Sequence, residues 1–191
     1  NGLNENDVKL INTSDADIAA LFAADPNGVA VTWNPPLMET QKVPGAKLLF
    51  DSSKTPGEIL DLMVVKSGAS DKLKRALVAT WYDVLKKVKA EDPEAMAWIA
   101  ASSGTDIAGA KAQLATTKMF WTADEARQFL ESGTVATTMA KVRQFSFDKG
   151  LFGDNQKSPD FIGIRFNDGA VLGSADNIKM RFTAEHLGAA K

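Results

Sequence analysis

Hydrophobic and polar positions follow two textures along this 191-residue chain. Up to about residue 65, apolar residues come in short runs separated by turn formers. Val8–Ile11, Val29–Trp33, Ala46–Phe50 and Glu58–Val65 read as strands, the second being mostly β-branched from Val29 to Thr32. Between the first two, Ser14 and Asp17 resemble a capping box with Asp in place of Glu, and Ile18, Leu21 and Phe22 share one helical face. Asp25-Pro26-Asn27-Gly28 is a turn by composition. Pro35 and Pro36 lack N–H donors, so they end a strand and suit the first turn of a short helix reaching about Lys42. Val43-Pro44-Gly45 then breaks that helix. The order β-α-β-α-β-β with short connections predicts a mostly parallel sheet with helices on its faces. The opening Asn1-Gly2-Leu3-Asn4 reads as the tail of a helix with a Gly stop, as if the chain began in mid-fold.

After Lys66 the pattern becomes helical. Leu73, Leu77, Trp81, Val84, Leu85 and Val88 fall at steps of three and four, which predicts an amphipathic helix starting at Ser70-Asp71, its polar face rich in Lys. Asp92-Pro93-Glu94 and Thr105-Asp106 start two more, and Thr122-x-x-Glu125 is a full capping box for a fourth. A fifth runs from Thr134 to Phe147 and ends near Gly150. Phe161–Phe166 and Ala170–Leu172 flank Asn167-Asp168-Gly169, a hairpin signal whose Asp-Gly pair tolerates positive φ. Ile178–Phe182 adds a strand, and Thr183–Leu187 a short helix.

Composition narrows the chemistry. There is no Cys, which removes disulfides, thiolate nucleophiles and thiolate metal sites, although a Cys-free chain suits either the cytosol or the periplasm. The single His, His186, lies in a small-residue tail and reads as a solvent-facing residue, so no Ser-His-Asp site is expected. No clustered His suggests zinc, and no glycine-rich phosphate or dinucleotide motif occurs. A net charge of −2 leaves no nucleic-acid footprint. Residues 1–65 carry nine acidic and four basic side chains, net −5, while residues 66–191 are net +3. No apolar run is long enough to span a bilayer, and no signal peptide opens the sequence. These absences point away from an enzyme and call for neither metal nor cofactor.

Binding is the better-supported chemistry. Three apolar segments lead into Thr13-Ser14-Asp15, Thr32-Trp33-Asn34 and Asp51-Ser52-Ser53. On a parallel sheet all three loops would share one rim, where open α/β sheets bind ligands. Hydroxyls, an amide, two carboxylates and an indole suit a small polar ligand. Helix N-termini after Ser14 and Asn34 favour an anion, whereas Asp15 and Asp51 favour a cation or an amide. The plainer reading is that Ser14, Asp15, Asp51 and Ser52 cap helices, that Asn34 does the same, and that Trp33 plugs the sheet edge.

Taken in order, Asn12-Thr13-Ser14-Asp15-Ala16-Asp17, Val29–Pro35, Phe50-Asp51-Ser52-Ser53, Pro56-Gly57-Glu58-Ile59 and Asp61-Leu62 resemble the periplasmic substrate-binding proteins of ABC transporters, in the nitrate, sulfonate and taurine class with its urea-type relatives. Ala79-Thr80-Trp81-Tyr82, Gly104-Thr105-Asp106, Arg143–Asp148 and Asn177–Phe182 extend the likeness over nearly the whole chain. The resemblance implies an α/β fold of the type II periplasmic-binding-protein kind, incomplete, with two lobes and a helical C-terminal part. Residues 1–60 would be the later part of the second lobe, 58–66 the hinge crossing, and 67–191 the completion of the first lobe. The family's signal and opening portion have no counterpart here, so the chain resembles a C-terminal fragment, and such a piece is expected to self-associate or swap elements.

By the same resemblance the protein is periplasmic and captures a small polar solute between lobes that close on it. The closed form would dock on a membrane permease. Trp33, Asn34 and Thr32 would meet the solute, with Asp15, Ser14, Asp51 and Ser52 near it. Two rivals share this architecture. One is the ligand-sensing domain of a bacterial transcription regulator, which would carry a helix-turn-helix upstream. The other is an enzyme like the thiamine-pyrimidine synthases, whose active-site His and Cys cluster have no counterpart in the corresponding region.

Overall fold

A computed structural model describes residue 2 and residues 5–25, 27–153 and 155–189. Asn1, Leu3 and Asn4 of the opening stretch and Pro26 of the predicted turn lie outside the described residues. The fold is α/β, with seven α-helices and a small mixed three-stranded sheet among the described residues. The chain divides into two compact units, one formed by Asn1–Phe50 with Ala97–Thr117, the other by Asp51–Met96 with Lys118–Lys191.

Helices form where the caps predict them. In the second unit, α3 (Asp71–Lys89) starts at Ser70, whose hydroxyl accepts from Leu73 N–H at 3.3 Å, and ends on three lysines that suit the negative end of its dipole. The buried face differs from the expected stripe. Tyr82, Leu85 and Val88 are buried, whereas Leu73, Trp81 and Val84 are about half exposed. Spacing alone marks which residues share a stripe, but the neighbours decide which side of a wide stripe is covered. At α6 (Ala123–Glu131) the capping box is complete: Thr122 Oγ1 accepts from Glu125 N–H at 3.2 Å, and Glu125 accepts from Thr122 N–H at 3.3 Å. Helix α7 (Thr134–Asp148) follows Gly133 at φ 76°, a left-handed turn that favours glycine.

The sheet belongs to the second unit and runs in the order β2-β1-β3. Strands β1 (Gly163–Arg165) and β2 (Val171–Gly173) form the predicted hairpin, with Gly169 at φ 86°. Strand β3 (Ile178–Arg181) lies parallel to β1 on its other side. Val135 from α7, Ile164 from β1 and Phe182 form the core of this unit, with Phe129, Leu130, Met139, Phe166 and Leu172 packed around them. Beyond β3 the structure has a 3-10 turn at Leu187–Ala189 in place of the expected helix over 183–187.

The first unit holds α1 (Ile18–Ala24), α2 (Pro36–Gln41), the second half of α4 (Pro93–Ser102) and α5 (Ile107–Thr116). Here the expectation of a mostly parallel sheet is corrected. Val8–Ile11, Val29–Trp33 and Ala46–Phe50 form no regular strand and pair with none among the described residues, and Glu58–Val65 in the second unit, which opens on bends at Glu58 and Ile59, behaves likewise. The physical reason is that a strand needs a hydrogen-bonded neighbour, and apolar, β-branched sequence supplies only the disposition to be one. These segments stay bare: Leu10 is 87% exposed and Val31 89%. The chain exposes 13791 Å² in all. Two separately folded units of these lengths would expose roughly 10,600 Å².

Asp71 ties the start of α3 to the chain's C-terminal end. Its Oδ1 accepts from His186 Nε2 at 3.3 Å and lies 3.5 Å from Lys74 Nζ. His186 is 7% exposed, which corrects the reading of it as a solvent-facing tail residue: Leu187–Ala189 packs against α3 and α6 and carries the imidazole inside. The His186 hydrogen bond, followed by Lys74, holds the Asp71 carboxyl below its ordinary 3.8. A carboxylate depressed in the folded state adds stability above its unfolded pKa and loses it as pH falls through the folded one. Asp71→Asn should therefore flatten the acid limb of the stability curve below about pH 4 while leaving its neutral-pH shape alone. Urea midpoints measured from pH 7 to 2 check this, and parallel acid limbs in the two proteins would refute it.

Candidate ligand-binding site

The sequence runs from Val29–Thr32 through Trp33-Asn34 into the prolines that open α2. Leu37 N–H bonds to the Trp33 carbonyl at 2.8 Å, so the turn after the segment is also the first turn of the helix. Pro35, not Asn34, holds the N-cap position. Asn34 instead reaches α5, its Nδ2 donating to Thr116 Oγ1 at 3.1 Å, while its buried Oδ1 has no partner. The Thr32 hydroxyl is likewise buried without one. A buried polar atom left unpaired costs about 1–3 kcal/mol, so such atoms in a native fold call for a reason. Trp33 is 64% exposed and plugs no core.

Ser14 acts locally. Its hydroxyl donates to Asp17 Oδ2 at 2.6 Å, and its carbonyl accepts from Asp17 and Ile18 N–H. Asp17 holds the N-cap position of α1 but makes no side-chain cap bond, so the expected capping box is not formed. The short Asp side chain is spent on the Ser14 hydroxyl.

Asp15 lines an open cleft of about 850 Å³ within the first unit. Pro35, Pro36, Glu39 and Lys42 face it from the α2 side, and Thr105, Asp106 and Gln113 from the start and body of α5. Lys42 Nζ pairs with Glu39 Oε1 at 2.7 Å. Asp106 Oδ1 accepts from Gly109 N–H at 2.7 Å and so caps α5. Thr32, Trp33 and Asn34 do not line the cleft, although Asn34 directly precedes the proline pair that does.

Asp51 and Ser52 belong to the second unit, at a 3-10 turn over Ser52–Lys54. Asp51 Oδ1 accepts from Ser53 N–H at 2.9 Å, and the hydrogen bonds from Ser53 hold its carboxyl below the ordinary 3.8. Ser52 supplies its carbonyl to Thr55 N–H at 3.1 Å. Asp51 therefore does the capping work that was its plainer reading, whereas Ser52 sits inside the turn and contributes only its main-chain carbonyl. The apolar segments leading into the three loops join no sheet among the described residues.

Sequence reasoning passed over Glu39, Lys42, Asp106 and Gln113 as site residues. A signal existed for the first pair, since an acid and a base three apart on a helix face one way. Nothing local marked the contribution of α5, which lies more than sixty residues further along the chain. Among the described residues no group of three His, Asp or Glu could hold a metal ion, and no helix is long and apolar enough to cross a membrane. Comparison with protein-family models, curated proteins and solved structures returns no match for this chain.

Proposed function

We propose that this chain is solute-binding polypeptide of an ABC importer, with a fold of the type II periplasmic-binding-protein kind, acting in the periplasm and handing its solute to a membrane permease. The observation that supports this reading best is the first-unit cleft. It joins the loop after one apolar segment, through Asp15, to the loop after the next, through Pro35 and Pro36, and it offers carboxylates, an ammonium and a carboxamide to one small volume. That mixture fits a small polar molecule held by a few directed hydrogen bonds. The order of segments and motifs described from the sequence points the same way.

The local charge narrows the solute. Asp15, Glu39 and Asp106 face the cleft against Lys42, which is already paired with Glu39. A bare anion such as nitrate would meet net repulsion there. A neutral donor-rich solute of the urea kind, or one bearing an ammonium as taurine does, would find acceptors. Trp33, exposed beside Asn34, would serve as an apolar wall on the approach.

Titration calorimetry of the full chain with urea, taurine and nitrate tests this directly. Urea or taurine should bind and nitrate should not. Asp15→Ala should weaken binding by about 100-fold, or about 2.7 kcal/mol, and Trp33→Ala, which lies outside the cleft lining, by less, with circular dichroism unchanged in both. Unaltered affinity in both variants, or preferential nitrate binding, would refute the assignment.

A further inference from the structure

We propose that the second unit holds a separate site for a small zwitterion of the α-amino-acid kind, with its carboxylate at the start of α7 and Lys141 and its ammonium at Glu58. The site is an open cavity of about 340 Å³ formed within that unit. Thr134, Thr137, Thr138 and Lys141 follow one another along α7 at steps of three, one and three, which sets them on one face of the helix, and all four line the cavity. The other wall is the turn over residues 55–58, closed by a hydrogen bond from Glu58 N–H to the Thr55 carbonyl at 3.1 Å. A Cβ at Gly57 would lie 3.5 Å from Thr134 Cγ2 and 3.8 Å from the Phe129 ring, so this turn rests on the junction of α6 and α7.

Three observations carry the site. The first is Thr138. It is only 5% exposed, yet its hydroxyl bonds to no described residue. The polar side-chain atoms sealed from solvent without a partner are Thr32 Oγ1, Asn34 Oδ1 and Arg143 Nε, so the Thr138 hydroxyl keeps an open side, and that side faces the cavity the residue lines. A buried hydroxyl is normally paired, and here a ligand is what can pair it. The second is the start of α7. Gly133 supplies no side-chain cap, and the first turn holds no acid. Ser132 Oγ takes the Thr134 N–H at 3.3 Å, but Val135 and Ala136 N–H bond to no described residue, so the positive end of the helix is left unanswered. The third is charge. Lys141 and Glu58 line the same small cavity, and neither forms an ion pair among the described residues.

Those charges select the ligand. A bare oxyanion would find donors on α7 and Lys141 but repulsion at Glu58, and a lone cation would meet the reverse. A molecule bearing both charges answers both ends with charge-assisted hydrogen bonds. Thr138 lies one turn from the start of α7 and one turn from Lys141, so its hydroxyl is placed to donate to the carboxylate held between them. The cavity shares no residue with the first-unit cleft, and the assignment does not depend on the solute reading.

Titration calorimetry of the full chain with glycine, acetate, methylammonium and inorganic phosphate tests the site. Glycine should bind with a Kd below about 1 mM, and the other three at least about 10-fold more weakly. Lys141→Met and Thr138→Val should each weaken glycine binding by about 10-fold or more, while Asp15→Ala, in the first-unit cleft, should leave it unchanged. Glu58→Gln should weaken glycine but strengthen acetate, because it removes the repulsion along with the ammonium's partner. Glu58 and Lys141 are exposed, so those two variants keep the fold even if Thr138→Val does not, and thermal melts followed by circular dichroism check each one. No glycine binding, phosphate bound more tightly than glycine, glycine binding lost in Asp15→Ala but kept in Lys141→Met, or acetate indifferent to Glu58→Gln would each overturn the proposal.

Discussion

Replacing Gly173 with Ala should unfold the second unit at room temperature or bring it close to unfolding. Gly173 ends β2 opposite Gly163 and sits at φ 85°, where an L side chain is strained. A Cβ there would also run into the Ile162 carbonyl oxygen and crowd an Arg143 guanidinium nitrogen at 2.8 Å. The carbonyl cannot yield cheaply, since it accepts from Ser174 N–H at 3.1 Å and holds the two strands together. Arg143 is equally fixed, its Nη1 donating to the Pro159 carbonyl at 3.1 Å and to Asp160 Oδ1. Strained backbone plus a blocked ladder should cost about 3 kcal/mol or more, a fall in Tm of more than about 10 °C. Thermal melts followed by circular dichroism read this, and a shift below about 2 °C would contradict it.

Phe182→Ala should come next in magnitude, at about 3–5 kcal/mol. Phe182 is 7% exposed and shares the core with Val135 and Ile164. Its ring stacks on Phe166 with centroids 6.0 Å apart and planes within 10°. Truncation removes that contact and opens a cavity between α7 and the sheet that the surrounding backbone cannot close: Phe182 N–H bonds to the Arg165 carbonyl at 2.9 Å, and Ala184 N–H to Asn167 Oδ1 at 2.8 Å. Urea unfolding should show a lower midpoint with a similar slope. Phe182→Leu should recover much of the loss, and a stability change under about 1 kcal/mol in the Ala variant would show that this core is not the one holding the unit.

What could be read in the residues depended on the range of the interaction behind each signal. The helix starts at Ser70, Asp106 and Thr122 each bind a donor three residues away, and all three form as the spacing predicts. The Asp168-Gly169 turn likewise needs only its own φ angles and the two strands it joins. The Ser14–Asp17 pair shows the limit, because identical local chemistry admitted two hydrogen-bond patterns and the hydroxyl took the carboxylate. For the site, the loops holding Asp15 and Pro35-Pro36 were marked by sequence and do border one cleft. Thr105, Asp106 and Gln113, on its other side, carry no mark of that role, and Asp51 and Ser52 had residue types suited equally to capping and to binding.

The amino-acid order by itself determined where α3, α5 and α6 begin and where the hairpin turns, since each follows from contacts within a few residues. Only the tertiary structure decided that Val8–Ile11, Val29–Trp33 and Ala46–Phe50 pair with no strand among the described residues, that His186 is buried against Asp71, and that α5 meets α2 across the cleft. Those outcomes depend on partners distant along the chain, and a strand's hydrogen bonds, unlike a helix's, are never made within the segment itself.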